Sequence, residues 1–161
     1  MTDFEGLLRR LQEAEVDFVV VGGVAAIAHG SARLTQDLHI VYERSAENLA
    51  RLAAALRETR PYLQGAPPGL PFVLDEATLR RGLNSTLSTE LGDLELLREV
   101  VGGGNYQNLL SGSVDLEIFG RSCKFVDLAT LIRLKRAAGR PKDLETIAEL
   151  EVLLDDPTAE S

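Results

Sequence analysis

The spacing of hydrophobic and polar positions changes period several times along the chain, and each change marks an element. Phe4, Leu7, Leu8 and Leu11 recur at helical spacing, with Thr2 and Glu5 standing where a capping box would open that helix. Asp17 to Val21 is a β-branched run ending at Gly22 and Gly23, and Val24 to Ala28 behind it is alanine-rich, which reads as strand, tight turn, helix. His29 and Gly30 read as the end of that helix, a histidine in the last turn and then a glycine cap. Gln36 to Tyr42 predicts a second strand. Ser45 then caps a helix whose buried stripe is Leu49, Leu52, Ala53 and Leu56.

The segment from Arg60 to Pro71 holds four prolines and two glycines, so a loop or flap is expected there. Beyond it Phe72 to Leu74, Leu83 to Thr89 and Gly92 to Leu97 predict short strands, Gly102 to Gly104 a loop, and Tyr106 to Leu110 a helical turn. Val114 to Phe119 and Ser122 to Phe125, separated by Gly120 and Arg121, have hairpin spacing. Two helices, Asp127 to Ala138 and Pro141 to Leu154, end the pattern. A length of 161 residues suits one α/β domain over positions 1–161, with 127–155 as its C-terminal helical segment.

Composition narrows the classes. With 45% hydrophobic and 26% charged residues the chain is expected to fold, and its longest uncharged run, Phe18 to Ala32, is interrupted by Gly22 and Gly23. No membrane span is expected, and the reading is of a cytoplasmic protein. Cys123 is the single cysteine, which excludes an internal disulfide and leaves no cysteine pair for zinc. The net charge of −8 disfavours duplex DNA. Against that average, Arg133, Lys135, Arg136, Arg140 and Lys142 fall within ten residues that contain no acid, a place for a small anion.

Candidate chemistry follows from periodicity. Asp37 and His39 share one face of their strand, and Asp93 and Glu95 share one face of theirs; if the strands are neighbours, carboxylates and an imidazole converge as in a metal site, and otherwise these are solvated sheet faces. Gly22 and Gly23 precede a helix start, where free N–H groups suit a phosphate. Lys135 falls in the centre of the stripe made by Leu128, Leu131, Ile132 and Ala138. A lysine there snorkels, meets a phosphate or meets a buried carboxylate.

Three runs, Val19 to Ile40, Thr89 to Leu97 and Leu131 to Leu150, together resemble the small bacterial nucleotidyltransferases of the DNA polymerase β-like superfamily, in the toxin–antitoxin-associated branch with a Gly-Gly turn. The resemblance implies an α/β (α+β) fold: a mixed sheet with helices mainly on one face and C-terminal helices closing a cleft. It implies that Gly22 and Gly23 hold nucleotide phosphates and that Arg33, Thr35, Arg140, Lys142 and Asp143 belong to the nucleotide site. It also implies metal ligation by Asp37, His39 and Glu95, with Asp37, Glu95 and Lys135 as catalytic residues and Mg²⁺ or Mn²⁺ as cofactor. His39 stands where the family has a second Asp, and Glu95 where it has a third. Imidazole nitrogen suits Zn, Mn or Ni better than Mg²⁺, which prefers oxygen.

The implied activity is transfer of a nucleoside monophosphate from an NTP to a hydroxyl on a protein, RNA or small molecule. The alternatives are a degenerate relative that binds nucleotide or a protein partner without turnover, and an interaction protein that shares only the fold.

Overall fold

Asp3 opens the first helix, α1 (Phe4–Glu13): its carboxylate accepts from the Gly6 N–H at 2.9 Å in the computed structural model, which describes residues 2–67, 69–82 and 84–155. The expected cap, Thr2, has another task. Its hydroxyl donates to the Gln36 carbonyl and accepts from the Asp93 N–H at 3.2 Å, tying the start of the chain to two strands of the sheet. Pro68 of the proline-rich segment, Leu83 at the head of a predicted strand, and residues 156–161 of the predicted domain lie outside the described residues.

β1 (Phe18–Val21) is buried at all four positions, as a run without polar side chains requires of a central strand. The chain passes straight from it into α2 (Gly22–Ala28), so the helix begins at Gly22 itself rather than after a separate turn. His29 and Gly30 do close α2, and the His29 ring is also hydrogen-bonded, Nε2 to the Val126 carbonyl at 2.8 Å. An extended loop returns the chain to β2 (Asp37–Tyr42), antiparallel to β1, and Ser45 caps α3 (Ala46–Arg57) as expected, accepting from the Asn48 N–H at 3.2 Å.

The next stretch departs most from the pattern. Two residues of the proline-rich segment form an edge strand, β3 (Tyr62–Leu63), and Phe72 to Leu74 is not a strand but the approach to an unforeseen helix, α4 (Glu76–Arg81). Asp75 caps that helix by accepting from the Thr78 N–H at 2.8 Å. Six residues with one buried side chain, Leu79, are too few to show a helical period. β4 (Ser85–Thr89) and β5 (Gly92–Leu97) follow, then a small hairpin of β6 (Glu99–Val100) and β7 (Gly104–Asn105), the short α5 (Tyr106–Leu109), and β8 (Ser113–Ile118) paired with β9 (Arg121–Val126). The β8–β9 turn uses Phe119 and Gly120, both at positive φ, one residue earlier than predicted. α6 (Leu128–Ala138) and α7 (Pro141–Asp155) are the last elements among the described residues, as anticipated.

Seven strands form one mixed sheet in the order β3-β4-β5-β2-β1-β9-β8, with β1–β9 and β2–β5 parallel and the other pairs antiparallel. The registers place Val20, Leu38, Ile40, Leu87, Leu94, Leu96 and Phe125 on one face, all buried. This face and the stripes Leu7–Leu11 of α1 and Leu49–Leu56 of α3 belong to one contiguous core. No helix among the described residues is long and apolar enough to cross a membrane.

Asn48 staples this core together. Fully buried on α3, its side chain accepts from the Asp17 N–H at 2.7 Å and donates to the Asp17 carbonyl at 3.0 Å and the Glu43 carbonyl at 2.7 Å, joining the start of β1 to the end of β2. Asn48→Ala removes the partner of the Asp17 N–H and of the Glu43 carbonyl, while the Asp17 carbonyl keeps the Glu43 N–H at 3.1 Å, and is expected to cost about 2–3 kcal/mol by urea unfolding. A loss below about 0.5 kcal/mol would show that water replaces the amide freely.

Candidate functional site

Two strand registers assemble the polar residues. β2 runs antiparallel to β1, so Val21 at the end of β1 lies beside His39; β2 runs parallel to β5, so Asp37 lies beside Asp93 and His39 beside Glu95. Alternation puts all four side chains on the face opposite Leu38 and Leu94. His39 Nε2 is 2.9 Å from Glu95 Oε2 and 4.0 Å from Asp37 Oδ2, so the imidazole sits between two carboxylates and bonds one of them. That hydrogen bond holds the Glu95 carboxyl below the usual carboxylate range; burial opposes the shift, and the charges of His39 and Arg140 add to it.

Both glycines at the start of α2 are steric requirements of this corner. Gly22 has φ +72°, and a Cβ there would lie 2.8 Å from His39 Nδ1. A Cβ on Gly23 would meet the Thr35 side chain at 2.5 Å, so Thr35 and the loop before β2 close directly over the helix start.

Asp37, His39 and Glu95 line a cleft of about 650 Å³ together with Gly23, Arg33, Thr35, Lys135, Arg140, Lys142 and Asp143. Gly22 lies in an adjoining cavity, and Asp93 lines neither. The opposite wall is organised by Asp143, 1% exposed on α7. Its carboxylate accepts from Arg140 Nε at 2.7 Å and from the Arg140 backbone N–H at 3.2 Å, and stands 3.6 Å from Lys135 Nζ. Lys135, in the apolar stripe of α6, therefore meets a buried carboxylate. Burial pushes the Asp143 pKa up, but the Arg140 hydrogen bonds and the Lys135 charge more than offset it and the net shift is downward. Asp143 thus holds the two cations in place, while Lys142 makes no ion pair among the described residues.

A third tether was not read from the sequence. Glu149 on α7 accepts from the Ser31 hydroxyl at 2.7 Å and lies 3.6 Å from Arg33 Nε, anchoring the loop that carries Arg33 and Thr35. The spacing of Lys142, Thr146 and Glu149 on one helical face was the available signal.

As arranged, the donor set does not fit a pair of Mg²⁺ ions. Asp37 and Glu95 offer oxygen, but His39 presents nitrogen between them and already occupies Glu95, and among the described residues no group of three His, Cys, Asp or Glu side chains is disposed to hold a metal.

No protein-family model and no curated protein sequence matches the chain. Solved structures do match in fold. A lincosamide antibiotic adenylyltransferase, LnuA, with lincomycin bound, superposes with a TM-score of 0.64 at 14% identity, over 94% of this chain and 98% of that one. ANT(2")-Ia in complex with adenylyl-2"-tobramycin gives 0.58 at 14% identity, over 92% and 91%. An antigenic nucleotidyltransferase-like protein from Paracoccidioides brasiliensis gives 0.55 at 17% identity, over 95% and 77%. At such identities the likeness is one of architecture, and the mixed α/β fold is that of these nucleotidyltransferase structures.

Asp143 provides a pH test. A carboxyl whose folded pKa is depressed stabilises the fold above its unfolded pKa, roughly 4, and loses that contribution as pH falls through the lower folded value. Asp143→Asn is therefore expected to cost about 1.5–3 kcal/mol at neutral pH, with the gap to the parent narrowing below pH about 4. Urea unfolding at both pH values checks this; a gap independent of pH would remove the charged role of Asp143.

Proposed function

We propose that the protein binds a nucleoside triphosphate in this cleft and transfers its nucleoside monophosphate to a hydroxyl acceptor. The observation that carries the reading is two carboxylates, Asp37 and Glu95, on adjoining parallel strands facing Arg33, Lys135, Arg140 and Lys142 across one cleft. The fold shared with adenylyltransferase structures supports it. The four cations suit a polyanionic substrate and the charge that develops on departing pyrophosphate. Lys142 is the cation freest to meet the phosphates, Arg33 and Thr35 lie at the mouth on a tethered loop, and the backbone at Gly22 and Gly23 completes the phosphate side. In the transfer, the acceptor oxygen bonds the α-phosphorus, the bond from that phosphorus to its bridging oxygen breaks, and pyrophosphate leaves. The acceptor proton passes to Glu95, which His39 keeps ionised. The proposal extends to a cytoplasmic toxin–antitoxin setting, with the acceptor on a protein, an RNA or a small molecule.

A second reading, nucleotide binding without turnover, is favoured by one observation: the 2.9 Å contact that commits His39 and Glu95 to each other. Under the first reading Mg²⁺ or Mn²⁺ would enter with the nucleotide, since Asp37, His39 and Glu95 do not by themselves fit a pair of Mg²⁺ ions. His39→Asp places a carboxylate between Asp37 and Glu95 and is expected to strengthen Mg²⁺-dependent nucleotide binding, since each anionic ligand strengthens a hard-cation site.

Calorimetric titration of ATP with Mg²⁺, with Mn²⁺ and with chelator, combined with release of labelled pyrophosphate, separates the readings. Binding is expected in the parent, weakened about tenfold by Lys142→Ala. Pyrophosphate release supports transfer, binding without release supports the second reading, and no binding under any condition removes both. Equal, metal-independent affinities in the parent and His39→Asp would show that position 39 does not govern a metal site.

A further inference from the structure

Next to the cleft lies a second cavity of about 290 Å³ that shares His39, Glu95, Lys135 and Arg140 with it. The rest of its lining is of another kind: Leu97, Val100, Val101, Leu131, Leu134 and Ala138 make it mainly apolar, with Glu99 and Asn84 at its polar margin. The same four polar side chains thus face a larger, charged cleft and a smaller, mainly apolar lobe.

The lobe is preformed. Its lip is the β6–β7 hairpin, which lies directly against α6: a Cβ on Gly103 would come 2.6 Å from Leu134 Cδ2, and one on Gly102 would come 2.6 Å from Ala137 Cβ. Arg133 Nε also donates to the Gly102 carbonyl at 3.2 Å. A lip fixed by backbone contact has little freedom to lose when a ligand enters.

Size and lining favour a small group. At about 290 Å³ the lobe lies at the lower edge of the roughly 300–1,000 Å³ of sites for drug-sized ligands, room for one ring with its substituents. Its charged residues balance, Lys135 and Arg140 against Glu95 and Glu99, so no net charge calls for an ion, and the apolar side chains would leave the lost hydration of an ammonium or a carboxylate unreplaced. An uncharged ring meets no such penalty, and a hydroxyl on it can reach the polar wall.

We propose that this lobe is the acceptor subsite and that the acceptor hydroxyl sits on a single uncharged, mainly apolar ring-sized group, a phenol being the simplest. The proposal rests on the transfer reading above, because the shared wall is where acceptor and nucleotide meet. A free phenol and the tyrosine of a protein chain offer the same chemistry, and two arms of one experiment distinguish them.

The protein with labelled Val and Leu methyls and labelled amides is titrated with para-cresol in one arm and with a blocked Ala-Tyr-Ala peptide in the other. Saturable shifts are expected at Val100, Val101, Leu131 and Leu134, weakened about tenfold in Ala138→Trp, which fills the lobe from an exposed position. Val101→Trp, at a residue 73% exposed, is a second blocking variant. In both variants ATP-induced amide shifts at Arg33 and Lys142 are expected to persist. Tighter binding of para-cresol assigns a small-molecule acceptor, and tighter binding of the peptide a protein tyrosine. Absent shifts, shifts spread beyond the lobe or insensitive to both Trp variants, or displacement of para-cresol by a polycationic aminosugar overturn the proposal. If para-cresol binds in the lobe while ATP leaves Arg33 and Lys142 unmoved, the transfer reading fails, and the acceptor role with it.

Discussion

The register of a single six-residue strand fixes the carboxylate wall of the candidate site. β2 pairs antiparallel with β1 on one side and parallel with β5 on the other, and those registers alone set Val21 beside His39 and His39 beside Glu95. What holds the register is the other face. Leu38 and Ile40 are 0% exposed and pair with Leu94 and Leu96, so a slip of one residue would drive Asp37 and His39 into the core and expose Leu38 and Ile40. The core therefore does more than stabilise the sheet. Its apolar alternation is the reason that two carboxylates and an imidazole stand at one corner.

The facing wall is built on a different principle, a buried charge. Asp143 is enclosed, and an enclosed carboxylate without partners would be costly; Arg140 and Lys135 meet that demand from the turn before α7 and from α6. The cations are thereby oriented before any ligand arrives. They are also partly neutralised, as Arg33 is by Glu149, so an incoming anion competes with internal carboxylates for three of its four counter-charges. Lys142 alone meets it without such competition among the described residues, which makes position 142 weigh more in the attraction of an anion than its exposure suggests.

What could be read in the sequence was local. The strand Gly92–Leu97, the Ser45 cap and the C-terminal helices announce themselves through period, β-branching and capping residues within a few positions. Lys135 stood out as a cation in an apolar stripe, but the pattern did not separate snorkelling, a phosphate and a buried carboxylate; Asp143 supplies the carboxylate across the α6–α7 turn. The misses share a cause. Thr2 was read as a cap because its nearest neighbours allowed it, whereas its hydroxyl is engaged by Gln36 and Asp93 far along the chain. The pairing of β6 with β7, the edge strand β3 and the six-residue α4 are too short to carry a period, and without the hairpin there is no lip and no apolar lobe to anticipate.

Position 39 ties these strands of argument together. With a third carboxylate there, three acids on adjoining strands would repel one another and the corner would require an added cation to be stable. The imidazole changes that balance, because its Nε2 gives Glu95 a donor at 2.9 Å and leaves Asp37 within 4.0 Å. The corner then satisfies itself, as the opposite wall does through Asp143. A site whose two walls are each internally compensated gains less from long-range attraction and depends more on shape and on the contacts formed at closest approach. Such a site discriminates by fit, and the small apolar lobe lies where both walls meet.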